Sequence, residues 1–478
     1  MSLRKFKLLN VVPLIVNGVS KTDGKLCNVL GPKNHKPIHS MSTIDVGETA
    51  NVCRISKLGF QKWSKMDTSE RKIIMLRASD ILVENRDIIV DAQVQVGIEE
   101  KFAGFNVKLA ADTIKDYALQ IDAQPGNLLN SALTDIALAV NQPIGPVLSM
   151  APWNAPVILA TRSIAAPLAA GCSVIFKTSE KAPLVGYFVA AAFLEAGVPK
   201  ETIQLVNLEP EETPQLVESF ISNHHIRKIN YTGSTAVGSL IAQVAGKHLK
   251  PVLLELGGKN CSIVEPDAEI EKAVATILPS AWANSGQICM CTDKIYVHED
   301  KYDAFLSEAG RVAEKIGTES HLRTIPATSS AIALVEDALK NGAKVEFGSL
   351  TKLSSTEENV PFAPLILSNV SKSANLYSAE TFAPIVSIHK YTDIAKVVEE
   401  VNDSSYGLKA SVWSSNAVRA YKIASELESG AVHINSSTIH DEPGVPHGGV
   451  KNSGIGRFNN SWGIQEFQVC KVITLNAG

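Results

Sequence analysis

From about residue 145 the chain alternates short β-branched runs with Ala-rich amphipathic stretches, and this alternation narrows the fold more than any other feature. The runs are Val147-Leu148-Ser149-Met150, Ser173-Val174-Ile175-Phe176, Ile203-Gln204-Leu205-Val206, Lys228-Ile229-Asn230-Tyr231 and Val252-Leu253-Leu254. Helical segments of ~10–15 residues separate them, long enough for the crossover that a parallel strand pair requires. The pattern therefore predicts a doubly wound α/β sheet, covered by helices on both faces.

A second alternating set begins at Cys261-Ser262-Ile263-Val264 and continues to about 435. Helices are expected over 268–285, 301–316 and 327–341, and strands near 385–391 and 431–434. Two successive α/β units place a cleft between them, the default location for a ligand. Upstream, Ile73, Leu76, Ile81, Leu82, Ile88 and Ile89 recur at helical spacing within a helical region over 64–120. Leu14 to Val19 reads as the first strand of a hairpin that turns at Asn17-Gly18. Ile136 to Val140 and Phe467 to Leu475 belong to neither unit. They are expected either to pair and offer an edge to another subunit, or to be ordinary edge strands. The polar stretch Ser354 to Asn359 reads as a surface loop.

Composition excludes several classes of function. Hydrophobic residues are 45% and charged residues 20% of 478, which excludes disorder for most of the chain. Lys+Arg of 45 against Asp+Glu of 49 leaves no basic field, so no nucleic-acid partner is expected. No stretch approaches the ~18 apolar residues of a membrane span, and no membrane partner is expected. The basic start and its short apolar run are interrupted by Asn10 and Pro13, with no cleavage site after them, so no secretory signal is read. Seven scattered cysteines without a CxxC pair suggest neither a zinc ribbon nor a disulfide framework. Free thiols, no metal and a cytoplasmic location are the expectation.

A few residues stand out chemically. Cys289 follows the polar, Gly-containing turn Asn284 to Ile288, where a thiol can be exposed and reactive; the alternative is a structural cysteine. Cys291 adds a Cys-x-Cys pair, but no histidines at ligand spacing accompany it. Glu255 lies in an apolar strand before Gly257-Gly258, a costly place for a carboxylate unless it is a general base or is paired with a buried Lys or Arg. Asn154 is fixed between Pro152 and Pro156, as an oxyanion donor or as a helix cap. There is no GxxxxGK[ST] loop, and Gly454 to Asn459 lacks the third glycine of GxGxxG, a false match. However, Tyr231-Thr232-Gly233-Ser234-Thr235-Ala236-Val237-Gly238 passes from a strand into a helix whose N-terminus suits a pyrophosphate. Lys177 and Glu180 end an earlier strand, placed to hydrogen-bond ribose hydroxyls.

Taken together, these segments resemble the aldehyde dehydrogenase superfamily. The resemblance rests on Pro152-Trp153-Asn154, Lys177-Thr178-Ser179-Glu180, Thr232-Gly233-Ser234-Thr235 with Gly238, Glu255-Leu256-Gly257-Gly258-Lys259 and Gly286-Gln287-Ile288-Cys289. Glu380-Thr381-Phe382-Ala383-Pro384 and Pro446 to Gly454 continue it, in family order, from about residue 12 to the C-terminus. Pro152 to Pro156 and His440-Asp441-Glu442-Pro443 look most like the salicylaldehyde and vanillin, or aromatic aldehyde, dehydrogenases.

The resemblance implies two Rossmann-like α/β domains with a small β oligomerisation flap. Residues 1–122 and 145–254 would bind NAD, 255–440 would form the catalytic domain, and 123–144 with 458–478 the flap. It implies that Cys289 attacks an aldehyde, and that Asn154 and the Cys289 N–H stabilise the oxyanion. Hydride then passes to nicotinamide, and Glu255 activates water to release the acid from the thioester. Trp153, Lys177, Glu180, Gly233, Ser234, Gly238, Glu380 and Phe382 would hold the cofactor. An acidic Glu180 favours NAD, with NADP as the alternative. A homodimer or homotetramer is implied.

The chain departs from the family at Ala383, where glycine is usual, at His447, where an aromatic residue is usual, and over 318–330, which lack a Gly-Pro turn. Arg162 lies eight residues beyond Asn154 on one predicted helix. A structural ion pair is favoured there over a contact to a substrate hydroxyl or carboxylate. The competing functions are an aliphatic or semialdehyde dehydrogenase, a cysteine esterase and a non-catalytic homologue.

Overall fold

The computed structural model describes residues 5–32, 34–123, 126–317, 322–350 and 362–476. The stretch Ser354 to Asn359 and residues 318–321 lie outside them. The largest sheet has a parallel core ordered Val252–Glu255, Lys228–Thr232, Val147–Met150, Val174–Lys177 and Ile203–Val206. The chain thus starts at the centre, winds outward to one edge, and returns to build the other side. The order reverses between Val147–Met150 and Lys228–Thr232, where a crevice opens at the carboxyl ends of the strands.

Local sequence sets these crossovers. Pro156 opens helix Pro156–Ala170 and Gly171, at φ 94°, ends it; Pro183 and Gly197, at φ 116°, do the same for Pro183–Ala196. Proline costs nothing at a first turn, and glycine takes the left-handed cap without strain. Both helices lie on one face of the sheet, and Thr68–Glu84 and Glu100–Gln120 pack against them from outside in the same core. The helical region begins earlier than expected, since Thr49–Trp63 is also helical and caps the opposite face through Val52, Cys53 and Ile55.

The edges of this sheet are antiparallel. Asn17 (φ 54°) and Gly18 (φ 74°) form a tight turn, so the first strand stops at Val16 rather than Val19, and Val19–Lys21 returns beside it. Gly454–Ile455 pairs with Leu254 and Glu255 at the other edge. The near match to GxGxxG is therefore an edge strand, not a phosphate loop.

The second sheet runs Lys344–Phe347, Leu365–Ser368, Ile385–Tyr391, Thr292–His298, Asn260–Val264, Lys409–Trp413 and Ala431–Ile434, parallel except for the first. Helices Glu299–Ile316 and Ile325–Lys340 lie close to expectation. The helix expected over 268–285 spans only Ile270–Ala281, because Asn284 and Ser285 turn left-handed at φ 50° and 58°. Gln468–Leu475 pairs antiparallel with Ile136–Pro143 along its whole length, and Asn127–Leu129 adds a third strand. Among the described residues, no helix is long and apolar enough to cross a membrane.

Candidate active site

The premature end of helix Ile270–Ala281 creates the loop that carries Cys289. Asn284, Ser285 and Gly286 (φ 69°) are consecutive left-handed residues, a conformation only Asn and Gly adopt cheaply. At Gly286 a Cβ would stand 2.3 Å from the Ala383 carbonyl, so no other residue fits. The loop is then tied down by amides. Asn284 Nδ2 donates to Asn154 O at 3.0 Å, and Asn154 Nδ2 to Gln287 O at 3.0 Å. Asn260 Nδ2 holds the Cys289 and Cys291 carbonyls at 2.8 and 2.9 Å. Asn154 does not cap helix Pro156–Ala170, whose N-cap is Ala155 without a side-chain bond. Cys291 is buried and donates to Ser280 O at 3.4 Å, and all seven cysteines are free.

Glu255 ends a strand of the first sheet, at 2% exposure. Among the described residues, no lysine or arginine pairs with it, so the structural salt bridge does not form. It sits within hydrogen-bonding reach of the Cys289 thiol. Burial, then the nearby Glu255 and Glu380 carboxylates, pushes that thiol well above its ordinary range. Arg162 is taken up structurally: Nη2 donates to Asp441 Oδ1 and Oδ2 at 2.6 and 2.5 Å, and Nε to Asn459 Oδ1 at 3.0 Å. The guanidinium lines the cavity above Cys289 as half of an ion pair.

The residues expected around a cofactor fall into two groups. Beside the thiol, Glu380 Oε1 accepts from Gly258 N at 3.1 Å, and a Cβ on Gly257 would come within 2.4 Å of Glu380 Oε2. Burial raises this carboxyl to about 7. Phe382, at φ 48°, meets Trp153 edge to face at 6.1 Å, and Lys181 Nζ lies 5.6 Å from the Trp153 ring. At the strand ends, Lys177 Nζ and Glu180 Oε2 face each other at 3.4 Å. Burial opposes ionisation of Glu180, but Lys177 and Lys181 outweigh it and hold the carboxyl below its usual range.

Ser234 caps helix Thr235–Lys247 through Val237 N at 3.5 Å. The first N–H groups of that helix have no intrahelical acceptor, and the helix starts at the carboxyl end of strand Lys228–Thr232, beside the point where the sheet order reverses. Gly233 and Gly238 have packing reasons of their own, since Cβ atoms there would meet Tyr231 Oη at 2.2 Å and Leu256 Cδ2 at 2.4 Å. An ionised acceptor, a cation and a helix N-terminus thus line the crevice at the sheet's reversal point, a set that fits a dinucleotide.

A cavity of about 430 Å³ opens over Cys289, bounded by Asn154, Arg162, Asp441 and His447 and walled by Phe102, Phe105, Leu109, Ile158 and Leu159. Reading the sequence missed Asp441 as a site residue and the contribution of helix Glu100–Gln120. Phe102 and Phe105 read there as ordinary apolar helix positions, with no signal to separate them. It also missed Arg323, whose backbone N–H holds Gln287 Oε1 at 2.9 Å behind the cysteine loop.

Residues 19–473 match the model of the aldehyde dehydrogenase family. The chain is 33% identical to a vanillin dehydrogenase of Pseudomonas fluorescens, over 98% of each chain. It is 34% identical to a salicylaldehyde dehydrogenase of Pseudomonas putida, over 92% of this chain and 94% of that one. The crystal structure of a salicylaldehyde dehydrogenase from Pseudomonas putida G7, complexed with salicylaldehyde, superposes with a TM-score of 0.93 at 30% identity over 98% of each chain. The chain belongs to the aldehyde dehydrogenase family and is an aldehyde-oxidising oxidoreductase. That family uses NAD or NADP.

Proposed function

We propose that this chain oxidises an aromatic aldehyde to its carboxylic acid, with NAD as the hydride acceptor, through a thioester on Cys289. The observation that carries the reading is the meeting of Cys289 and Asn154 on a largely apolar cavity with two phenylalanines in its wall, with Glu255 buried beside the thiol. The relatives named for vanillin and salicylaldehyde support the aromatic class. Arg162 argues the same way: it is neutralised by Asp441, so the cavity holds no free buried guanidinium for a carboxylate-bearing semialdehyde.

The chemistry follows from the placement of the groups. The thiol is protonated at rest, because burial and Glu255 disfavour the thiolate. Glu255 takes the proton as Sγ adds to the carbonyl carbon. Asn154 Nδ2 and the Cys289 backbone N–H then hold the oxyanion, with Asn260 keeping the loop in place. A nicotinamide dinucleotide, when bound, supplies the hydride acceptor. Once hydride has left, the acyl group remains on Sγ, and Glu255 deprotonates the water that displaces it. Lys177, Glu180, Gly233, Ser234 and Gly238 would frame the adenosine half of the cofactor, and Trp153, Glu380 and Phe382 the nicotinamide half. Ionised Glu180 repels a 2′-phosphate, which favours NAD over NADP.

We further assign residues 1–122 and 145–254 to cofactor binding, 255–440 to catalysis, and 123–144 with 458–478 to a homodimer or homotetramer contact, in a cytoplasmic enzyme. Incubation with benzaldehydes and NAD tests the activity. NADH absorbance should appear with the native chain and vanish in Cys289→Ala. Undiminished turnover by Cys289→Ala would reject the mechanism, and ester hydrolysis without NAD binding would indicate a cysteine esterase.

A further inference from the structure

Building on the thioester reading above, we propose that His447 accepts the proton Glu255 has removed, with Asp441 and Arg162 orienting its imidazole. His447 is 2% exposed and lies between two carboxylates. Its Nε2 is 3.7 Å from Glu255 Oε1, and its Nδ1 is 3.8 Å from Asp441 Oδ1. Glu255 Oε1 and His447 Nδ1 are both buried without a hydrogen-bond partner. Such atoms are costly to leave unpaired, and each faces a group that becomes its partner after a shift of about 0.8 Å.

The surroundings fix the imidazole for this task. Arg162 and Asn459 Nδ2 bind Asp441, the latter at 3.3 Å, and the Phe458 backbone holds His447 N and O at 3.1 and 2.7 Å. Asp441, kept ionised despite its burial by Arg162, draws the imidazole proton to Nδ1 and leaves the Nε2 lone pair toward Glu255. When Glu255 carries the proton from the thiol or from water, its O–H bond breaks and an Nε2–H bond forms. The imidazolium then lies between two carboxylates, the order that stabilises it best. It borders the cavity, through which the proton leaves to solvent.

Other charges also act on this histidine. Arg162 comes from helix Pro156–Ala170, Lys409 from strand Lys409–Trp413 and His433 from strand Ala431–Ile434, against the carboxylates of Glu255 and Asp441. Burial, then Arg162, lowers its pKa below the usual 6.5, so the ring is neutral and ready to accept near pH 7.

His447→Gln keeps a polar side chain but cannot carry the proton, and His447→Phe keeps the packing if the first variant fails to fold. The kcat of the wild-type enzyme should fall as the pH drops through a midpoint below 6.5. In either variant kcat at pH 7 should fall at least ~10-fold, with both KM values within about twofold and the acid limb displaced. A folded variant with unchanged kcat, or a lower kcat with the acid limb unmoved, would overturn the role. A wild-type chain that oxidises no aldehyde would instead sink the thioester reading.

Discussion

Buried Glu255 and half-buried Glu380 are both carboxylates near Cys289, yet their surroundings differ. Glu255 has an unpartnered oxygen aimed toward His447, whereas Glu380 accepts from the Gly258 N–H. Glu255→Gln removes the base of both steps but also the charge that holds the thiol up. Acylation should still run, more slowly, without a general base, while hydrolysis falls by ~100-fold or more and NADH formation stops near one equivalent per chain. Beyond its proposed place at the cofactor, Glu380 affects stability. Its folded pKa of about 7 exceeds the ordinary 4.5, so between those values the unfolded chain is ionised while the folded one is not. Stability is lost as the pH rises through that window. Glu380→Gln should then gain about 1–3 kcal/mol more at pH 8 than at pH 4.5, read from denaturant midpoints. Cys289, Glu255 and Asn154 were legible in the sequence because each breaks a local rule. Asp441 was not, because its meaning depends on Arg162, 279 positions away in the chain.

At the level of elements, the cysteine loop depends on a helix that ends too soon. The apolar periodicity around Ile277 and Leu278 runs smoothly into 285, so reading it alone extends the helix over Asn284 and Ser285. Tertiary contacts override that preference: the Asn284 amide bonds across to Asn154, and Gly286 admits the Ala383 carbonyl. Gly286→Ala combines a left-handed φ with a Cβ 2.3 Å from backbone. It should cost about 3 kcal/mol or more in chemical denaturation and displace the thiol. The five parallel strands of the first sheet, by contrast, lie within a residue of the β-branched runs that mark them in the sequence.

Across the whole molecule, the three-stranded sheet presents Leu128, Leu475, Ile136 and Ile473 on one face, at 76%, 52%, 43% and 39% exposure, an apolar face a monomer rarely keeps. Deleting 468–476 should convert the proposed dimer or tetramer to a smaller species in light scattering, and an unchanged mass would locate the contact elsewhere. The pairing of that strand with Ile136–Pro143 was legible only as two segments left over from the α/β units, since sequence carries no register between positions so far apart. The central claim is that Cys289 is acylated by the aldehyde it oxidises. Intact mass spectrometry of Glu255→Gln, mixed with NAD and a benzaldehyde, addresses it directly. One acyl group per chain, mapped to Cys289 and formed with one equivalent of NADH, is the predicted result. NADH formed with Cys289 unmodified, or an acyl group on another residue, would contradict it.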